Sequence, residues 1–491
     1  MCDSPYHNEC RGKLSFLALL AWIGIVLVLL FLYGCRAERY REVWEVPLNA
    51  IDEAVDNSPA FIEGEWLEEC WWHLFKDDQL EAFILQALRQ KRSIDIADAE
   101  VLMAAARAEI LGSPLWPTIG LDGDVTRFRY SRNGLFGSLP QTAGTFPFSF
   151  TQYEFSLNFS YEIDWWGKNR AVLKAAIGAL QARIAESAEA RLMVSTLVAR
   201  SYFLIQKSLA RTAIAQRKAD NARQILELTK QRSRAKLGTK ISVNAAENEY
   251  YLAREFFLSL SQEMQLEKNV LHALIAGSFD EEIEPIEYFA SARQPFPLPE
   301  NIALDLIARR PDITAQIWRI QEAAYQVQVA KAQFYPNLNL LAFGGFQSLN
   351  SRNLLDGNSK YGQAGAAIHL PIFQAGALQG NLRVSRQEFQ IAISQYEEMV
   401  INALKEVLDA ITSIRIWEER IHEYQQAVGA ARSNYLLNEQ LLKNHINSKF
   451  EVLRAEQAWL TAEDYQIQAH AALLLAKINL IKALGGGYDS N

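Results

Sequence analysis

The chain has 491 residues, 49% of them hydrophobic, and a net charge of −8. An acidic chain with no Lys/Arg run interleaved with aromatics lacks the electrostatic footprint of a nucleic-acid binder. Its four cysteines (Cys2, Cys10, Cys35 and Cys70) contain no C-x-x-C pair and its seven histidines are scattered, so no metal centre and no cofactor is expected.

In chain order, Arg11 and Lys13 precede an uncharged apolar run at 14–34, which ends at Cys35. A cleaved export signal has an apolar core of about 7–15 residues and a membrane-spanning helix needs about 20, so length favours an uncleaved anchor. The end of the run points the other way. Leu32-Tyr33-Gly34-Cys35 resembles a bacterial lipobox, with Leu at −3 and Gly at −1 but a poorly matching Tyr at −2. On that reading residues 1–34 are a signal peptide, Cys35 carries lipid, and 35–78 form an N-terminal segment.

Residues 77–111 have a helical apolar period and end just before "SPLWPTIGLD". There the pattern switches at Pro117 to strands predicted over 118–130 and 150–165. A proline disfavours helical geometry at the residue before it and cannot donate a backbone hydrogen bond. In "YEFSLNFSYEIDW" (153–165) every odd position is apolar or aromatic and every even one polar. Such alternation over about ten residues is the mark of a transmembrane β-strand, although an antiparallel strand over a soluble core shares it. From Lys168 to Arg234 there is no proline and Gly178 is the lone glycine. A helix over 168–235 would be about 100 Å long. Gly167 punctuates the strand-to-helix switch, and a shorter helix is predicted over 241–276.

The same order then recurs at an offset of 209: "AAENEYYLA" (245–253) aligns with "RAEQAWLTA" (454–462), and Gly167 with Gly376. The mature chain therefore reads as two repeats, 79–277 and 301–487, joined by a Pro-rich linker at 278–300. The second repeat comprises a helix at 311–333, strands at 336–347 and 361–373 with the switch at Pro336, a long helix at 377–444 and a return helix at 450–484. Alternation is least clean at 336–347, where Asn337 and Asn339 share a face with Leu341 and Phe343. Each pair of shorter helices, placed end to end, matches one long helix, as in a barrel of long helices. Four strands cannot close a membrane barrel, whose smallest members have about eight, and open edges are not tolerated in lipid. The chain must oligomerise, and three copies would supply twelve strands.

Several segments together resemble the TolC-like outer-membrane efflux channel family, in its lipoprotein branch. They are "WWHLFKDDQLEAFILQAL" (71–88), "YEIDWWGKNR" (161–170), "LIARRPDITAQ" (306–316), "KAQFYPNLNL" (331–340), "LPIFQAGALQ" (370–379) and "KALGGGY" (482–488). The resemblance implies an α+β membrane protein: a homotrimer whose twelve-stranded outer-membrane β-barrel continues into a long periplasmic α-helical barrel. It implies no enzymatic activity. The channel would be the exit duct of a tripartite system, working with a periplasmic membrane-fusion adaptor and a proton- or ATP-driven inner-membrane transporter. Leu237, Gly238, Thr239, Ile446, Asn447 and Ser448 map onto the helix tips where the adaptor docks. The family often has glycine at the positions of Lys236 and His445, and this chain departs from it there. Asn434, Asn438 and Glu439 are candidates for the periplasmic constriction, and Glu154, Glu162 and Asp164 for an acidic barrel lumen. The competing reading is a structural periplasmic coiled-coil protein anchored by 14–34, with its strands in a soluble β-domain.

Overall fold

A computed structural model of the chain describes residues 61–63, 66–131, 133, 148–276, 283, 296–298 and 309–489, all within the compact unit Pro47–Asn491. The 14–34 run, Cys35, and most of the linker and of the segment before Trp66 lie outside the described residues. A short strand β1 (Phe61–Glu63) precedes helices α1 (Asp78–Gln90) and α2 (Arg92–Gly112). Strands β2 (Thr118–Arg129) and β3 (Ser149–Ile163) follow, then α3 (Lys168–Arg234) and α4 (Lys240–Ile275). After β4 (Phe296–Leu298) come α5 (Pro311–Ala332), β5 (Asn337–Ser348), β6 (Lys360–His369), α6 (Ala377–Lys443) and α7 (Lys449–Ala483). β1 and β4 pair in parallel.

Both long helices have 67 residues and both follow a left-handed glycine, Gly167 at φ 75° and Gly376 at φ 85°. Only glycine adopts that geometry without a Cβ penalty, so the strand-to-helix corner is written into both repeats. Two expectations need correction. The helix predicted over 77–111 is interrupted at Lys91, whose backbone is extended (φ −74°, ψ 119°). Its side chain then donates to Ala273 O at 2.9 Å, where the far end of α4 arrives. The strand predicted over 361–373 stops pairing at His369, two residues before Pro371, which has no N–H to give to a ladder.

The helices lie in four columns. α1 and α2 continue the line of α4 and pack on α3; α5 and α7 meet at the Arg310–Ala483 contact and pack between α3 and α6. Small residues let α3 approach its neighbours closely: Ala171, Ala175, Gly178, Ala182 and Ala185 fall at alternating spacings of four and three and are all buried. At Gly178 an added Cβ would lie 3.2 Å from the Glu322 backbone of α5. Each column continues into one strand: α2 into β2, α3 from β3, α5 into β5 and α6 from β6. The sheet order β2-β3-β5-β6 follows the columns and is antiparallel throughout.

Register sorts the two faces of this sheet. One row runs Ile119–Phe159–Ala342–Ala364 and the next but one Leu121–Leu157–Gly344–Gly362. Between them lies Gly120–Asn158–Phe343–Gln363, and beyond them on the same polar face lie Asp122–Ser156–Gly345–Tyr361 and Asp124–Glu154–Gln347. Leu341 and Phe343 fall on the polar face, where Phe343 sits 5.3 Å from the Tyr361 ring. The apolar face is open: Ile119 and Ile368 are 67% and 73% exposed.

Candidate functional site

At the sheet–helix junction the two repeats are fastened to each other. Trp166 stacks on Tyr335 at 4.6 Å and donates through Nε1 to Pro336 O at 2.8 Å. Pro117 and Pro336 stand immediately before β2 and β5. Asp164 accepts from the backbone N–H groups of Asn169 and Arg170, both at 3.0 Å, and from Arg170 Nε at 3.1 Å. It thus satisfies orphan donors at the start of α3, a helix end that favours a negative charge. Glu162 holds Lys168 Nζ at 2.5 Å. A cleft of about 310 Å³ between these groups is also lined by Asn337, His369 and Asn381.

Further along the polar face, Glu154 accepts from Tyr361 Oη, from Gln152 at 3.1 Å and from Gln347 at 3.4 Å. Of the three carboxylates picked from sequence, Glu154 and Glu162 belong to the polar face of β3. Asp164 lies beyond the strand and works as a helix anchor. Asp122 and Asp124 were not singled out, yet they share the polar rows with Ser156 and Glu154. Alternation within 118–130 already put them on its polar side.

At the opposite end of the long helices the two tips repeat one geometry. Lys236 and His445 are left-handed, at φ 59° and 57°. The N–H of Leu237 reaches Arg232 O at 2.8 Å and that of Lys236 reaches Ser233 O at 3.0 Å. The second tip matches, with Ile446 on Leu441 O and His445 on Leu442 O, both at 2.9 Å. This paired closure satisfies the last carbonyls of a helix and calls for positive φ at the position after the cap. Gly238 is not the left-handed residue. Thr239 and Ser448 cap the next helices, accepting from Ser242 N at 3.2 Å and Glu451 N at 3.4 Å. Leu237 and Ile446 are each 73% exposed. A groove of about 920 Å³ between the tips is lined by Leu237, Gly238, Phe450 and Arg454.

The structure joins two of the three constriction candidates to a tip. Asn438 Nδ2 donates to Asn434 O at 2.9 Å, and Asn447 Nδ2 donates to Asn438 Oδ1 at 2.5 Å. Glu439 is not part of this chain of bonds and lies 3.5 Å from Lys443 on the exposed face of α6.

Sequence reading missed the polar ties between helices, both across the two repeats and within the second. Arg211 of α3 pairs with Asp464 of α7 at 2.7 Å, with both side chains largely buried. Arg217 pairs with Glu456 at 3.4 Å and lies over the Trp459 ring, which Tyr435 of α6 stacks on from 5.3 Å. Arg310 is buried and donates to Asp312, to Glu406 at 2.9 Å and to Ala483 O at 3.0 Å. Burial would lower its pKa, but Asp312 and Glu406 outweigh that and push it up. Next to it, Gly485 (φ 89°) has its Cα so close to the Arg309 carbonyl that a Cβ would lie 2.0 Å from it. The sole sequence signal for this knot was the charge pair flanking Pro311 in "LIARRPDITAQ".

The outer membrane efflux protein family matches residues 83–277 and 303–486. Multidrug resistance outer membrane protein MdtQ of Escherichia coli O157:H7 is 27% identical over 473 residues, covering 94% of this chain and 97% of that protein. MdtP of E. coli K12 is 26% identical over 430 residues, covering 87% and 88%. Among solved structures, the outer membrane protein VceC of Vibrio cholerae superposes with a TM-score of 0.74 at 31% identity, over 86% of this chain and all of that one. The Campylobacter jejuni CmeC outer membrane channel shares the fold with a TM-score of 0.81 at 20% identity, over 93% and 96%. The chain therefore belongs to the outer membrane efflux protein family, and it is an outer-membrane efflux channel.

Proposed function

We propose that three copies of this chain close into one tunnel. Its wall would be a twelve-stranded barrel in the outer membrane and a barrel of twelve helical columns below it. The observation that carries this reading is the coincidence of open flanks. Strands β2 and β6 are both sheet edges, and the helix columns beneath them, α2 with α4 and α6, are the outer columns of the protomer. Leu102, Leu252 and Val384 on those columns are 72%, 60% and 56% exposed. Edges with unpaired N–H and C=O groups cannot stand in lipid, so β2 of one copy pairs with β6 of the next.

In this arrangement the apolar face of the sheet meets lipid and the polar face, with Asp122, Asp124, Glu154 and Glu162, lines the duct. The tips formed by Leu237, Gly238, Thr239, Ile446, Asn447 and Ser448 receive a periplasmic adaptor, and an inner-membrane transporter supplies the energy. Asn434 and Asn438 narrow the periplasmic end, and the bond from Asn447 to Asn438, which in turn donates to Asn434, links the constriction to the docking tip. Glu439, paired with Lys443, contributes less to that ring than the asparagines. Cys35 is lipid-modified and tethers the mature chain to the outer membrane. Relatives named for multidrug resistance support drugs as the substrate class.

Phe159→Arg and Ser160→Arg test the reading. Arg on the lipid face costs about 2–4 kcal/mol at the bilayer midplane, so Phe159→Arg blocks assembly in the outer membrane. Ser160→Arg assembles and changes the conductance of the purified channel. Equal tolerance of the two substitutions overturns the barrel.

A further inference from the structure

The sheet's charges are segregated by face and by sign. In the apolar register of the four strands the charged residues are Arg127, Arg129 and Lys360; in the polar register they are Asp122, Asp124, Glu154 and Glu162. All three basic residues stand at the strand ends farthest from the helices. Tyr153 to Ile163 is about 34 Å along the strand, and at the usual tilt it spans roughly 25 Å of height, the depth of an outer-membrane apolar band. Val125 pairs with Tyr153 at the edge of that band. Arg127 and Arg129 lie just above it, opposite Thr151 and Ser149. Arg127 donates to Thr151 Oγ1 at 3.3 Å and Ser149 Oγ at 3.4 Å. Both arginines are exposed, and among the described residues neither is paired with a carboxylate. On the opposite face of the same stretch, Phe128, Tyr130 and Phe150 cluster with ring distances of 5.2 to 6.1 Å. Polarity is thus inverted at the rim: aromatic inside, cationic outside.

We propose that Arg127, Arg129 and Lys360 form a basic band on the outward rim of the barrel that binds the phosphate groups of anionic lipid headgroups in the outer leaflet. This rests on the trimeric barrel proposed above. Closure sets the β6 edge of one copy beside the β2 edge of the next, which puts Lys360, in the Phe346–Phe155 row at the upper edge of the band, on the same outward surface as the two arginines. Three cations gathered at the membrane surface repel one another unless an anion lies between them. Guanidinium groups bind phosphate through paired N–H donors, and bonds already made to Ser149 and Thr151 hold Arg127 at the rim. Charge complementarity with continuity of the lipid-facing surface selects a membrane lipid as the occupant.

The test uses the full-length channel purified from outer membranes and titrated with bisphosphorylated lipid A, its fully dephosphorylated counterpart and inorganic pyrophosphate, with bound species counted by native mass spectrometry. Two basic groups removed near an anionic surface weaken binding about 30-fold. R127S/R129S is therefore expected to bind the phosphorylated lipid about 30-fold more weakly than wild type, while R127K/R129K stays within a few-fold. Equal binding by R127S/R129S and wild type overturns the proposal, as does wild-type indifference to dephosphorylation. Pyrophosphate binding as tight as lipid binding makes the band a free-phosphate site and overturns the lipid assignment. Wild-type protein missing from the outer membrane defeats the barrel reading itself, an outcome separable from loss of lipid preference in an assembled trimer.

Discussion

Replacing Lys236 or His445 by glycine should strengthen the helix tips. Each residue holds φ near 58°, as its 59° and 57° attest, in a conformation that costs an L-residue roughly 1–2 kcal/mol. Glycine removes that strain but loses about 0.5–1 kcal/mol of chain entropy on ordering. The net gain is therefore about 0.5–1 kcal/mol per tip, a two- to fivefold change in the opening equilibrium. Opening a tip breaks the bonds from Leu237 N to Arg232 O and from Ile446 N to Leu441 O, so those amides report it directly. Hydrogen exchange of the detergent-solubilised channel should show Leu237 slowed two- to fivefold in Lys236→Gly, and Ile446 likewise in His445→Gly. Valine at either position, with a branched Cβ, should speed exchange. The two tips share one geometry, so they must respond alike. Faster or unchanged exchange in the glycine variants, or a response at one tip alone, would refute the strain argument.

Arg310→Met strands Asp312, the Glu406 carboxylate and the Ala483 carbonyl in a buried knot. A loss of about 3 kcal/mol is expected, discounted from fully buried pairs because Glu406 is half exposed, and a lowered thermal midpoint in detergent measures it. Asp164→Asn keeps the shape but removes the charge at the start of α3, costing about 1 kcal/mol; faster limited proteolysis near residue 168 would reveal it. Lys477 is buried, and burial lowers its pKa to about 8. Its protonated form is disfavoured in the folded chain, so the group destabilises below pH 8 and the penalty fades as pH rises towards 10.5. Lys477→Met should accordingly melt higher than wild type at pH 7, with the gap closing by pH 10. Arg211→Met and Asp464→Leu should each cost more singly than together, because one alone strands a buried charge; additive losses would count against that pairing.

How far the fold was legible varied with the range of the forces involved. Strict alternation from Tyr153 to Trp165 announced a two-faced strand, because side chains on a strand point to opposite sides in turn. A 67-residue stretch with one glycine and no proline has nothing to stop a helix. The offset of 209 exposed the duplication, and Gly167 and Gly376 marked its corners. These are local properties, encoded in neighbouring residues. Pairing between distant segments is not. The break at Lys91 coincides with a bond to the end of α4, 182 residues away. Asp164 looked like one more polar residue in an alternating strand, yet it lies past the last pair of the ladder, where the first turn of α3 offers it two N–H groups. Leu341 and Phe343 blurred the pattern of β5 until register placed them on the polar face, with Tyr361 for Phe343 to pack against. Arg310, Arg211 and Trp459 each draw their partners from the other half of the chain or from a neighbouring helix. By itself the sequence determined which segments are helix or strand and which strand faces are apolar. Only the tertiary structure decided which columns stand side by side, which edges stay open and which charges are consumed internally, since those depend on contacts that no local period records.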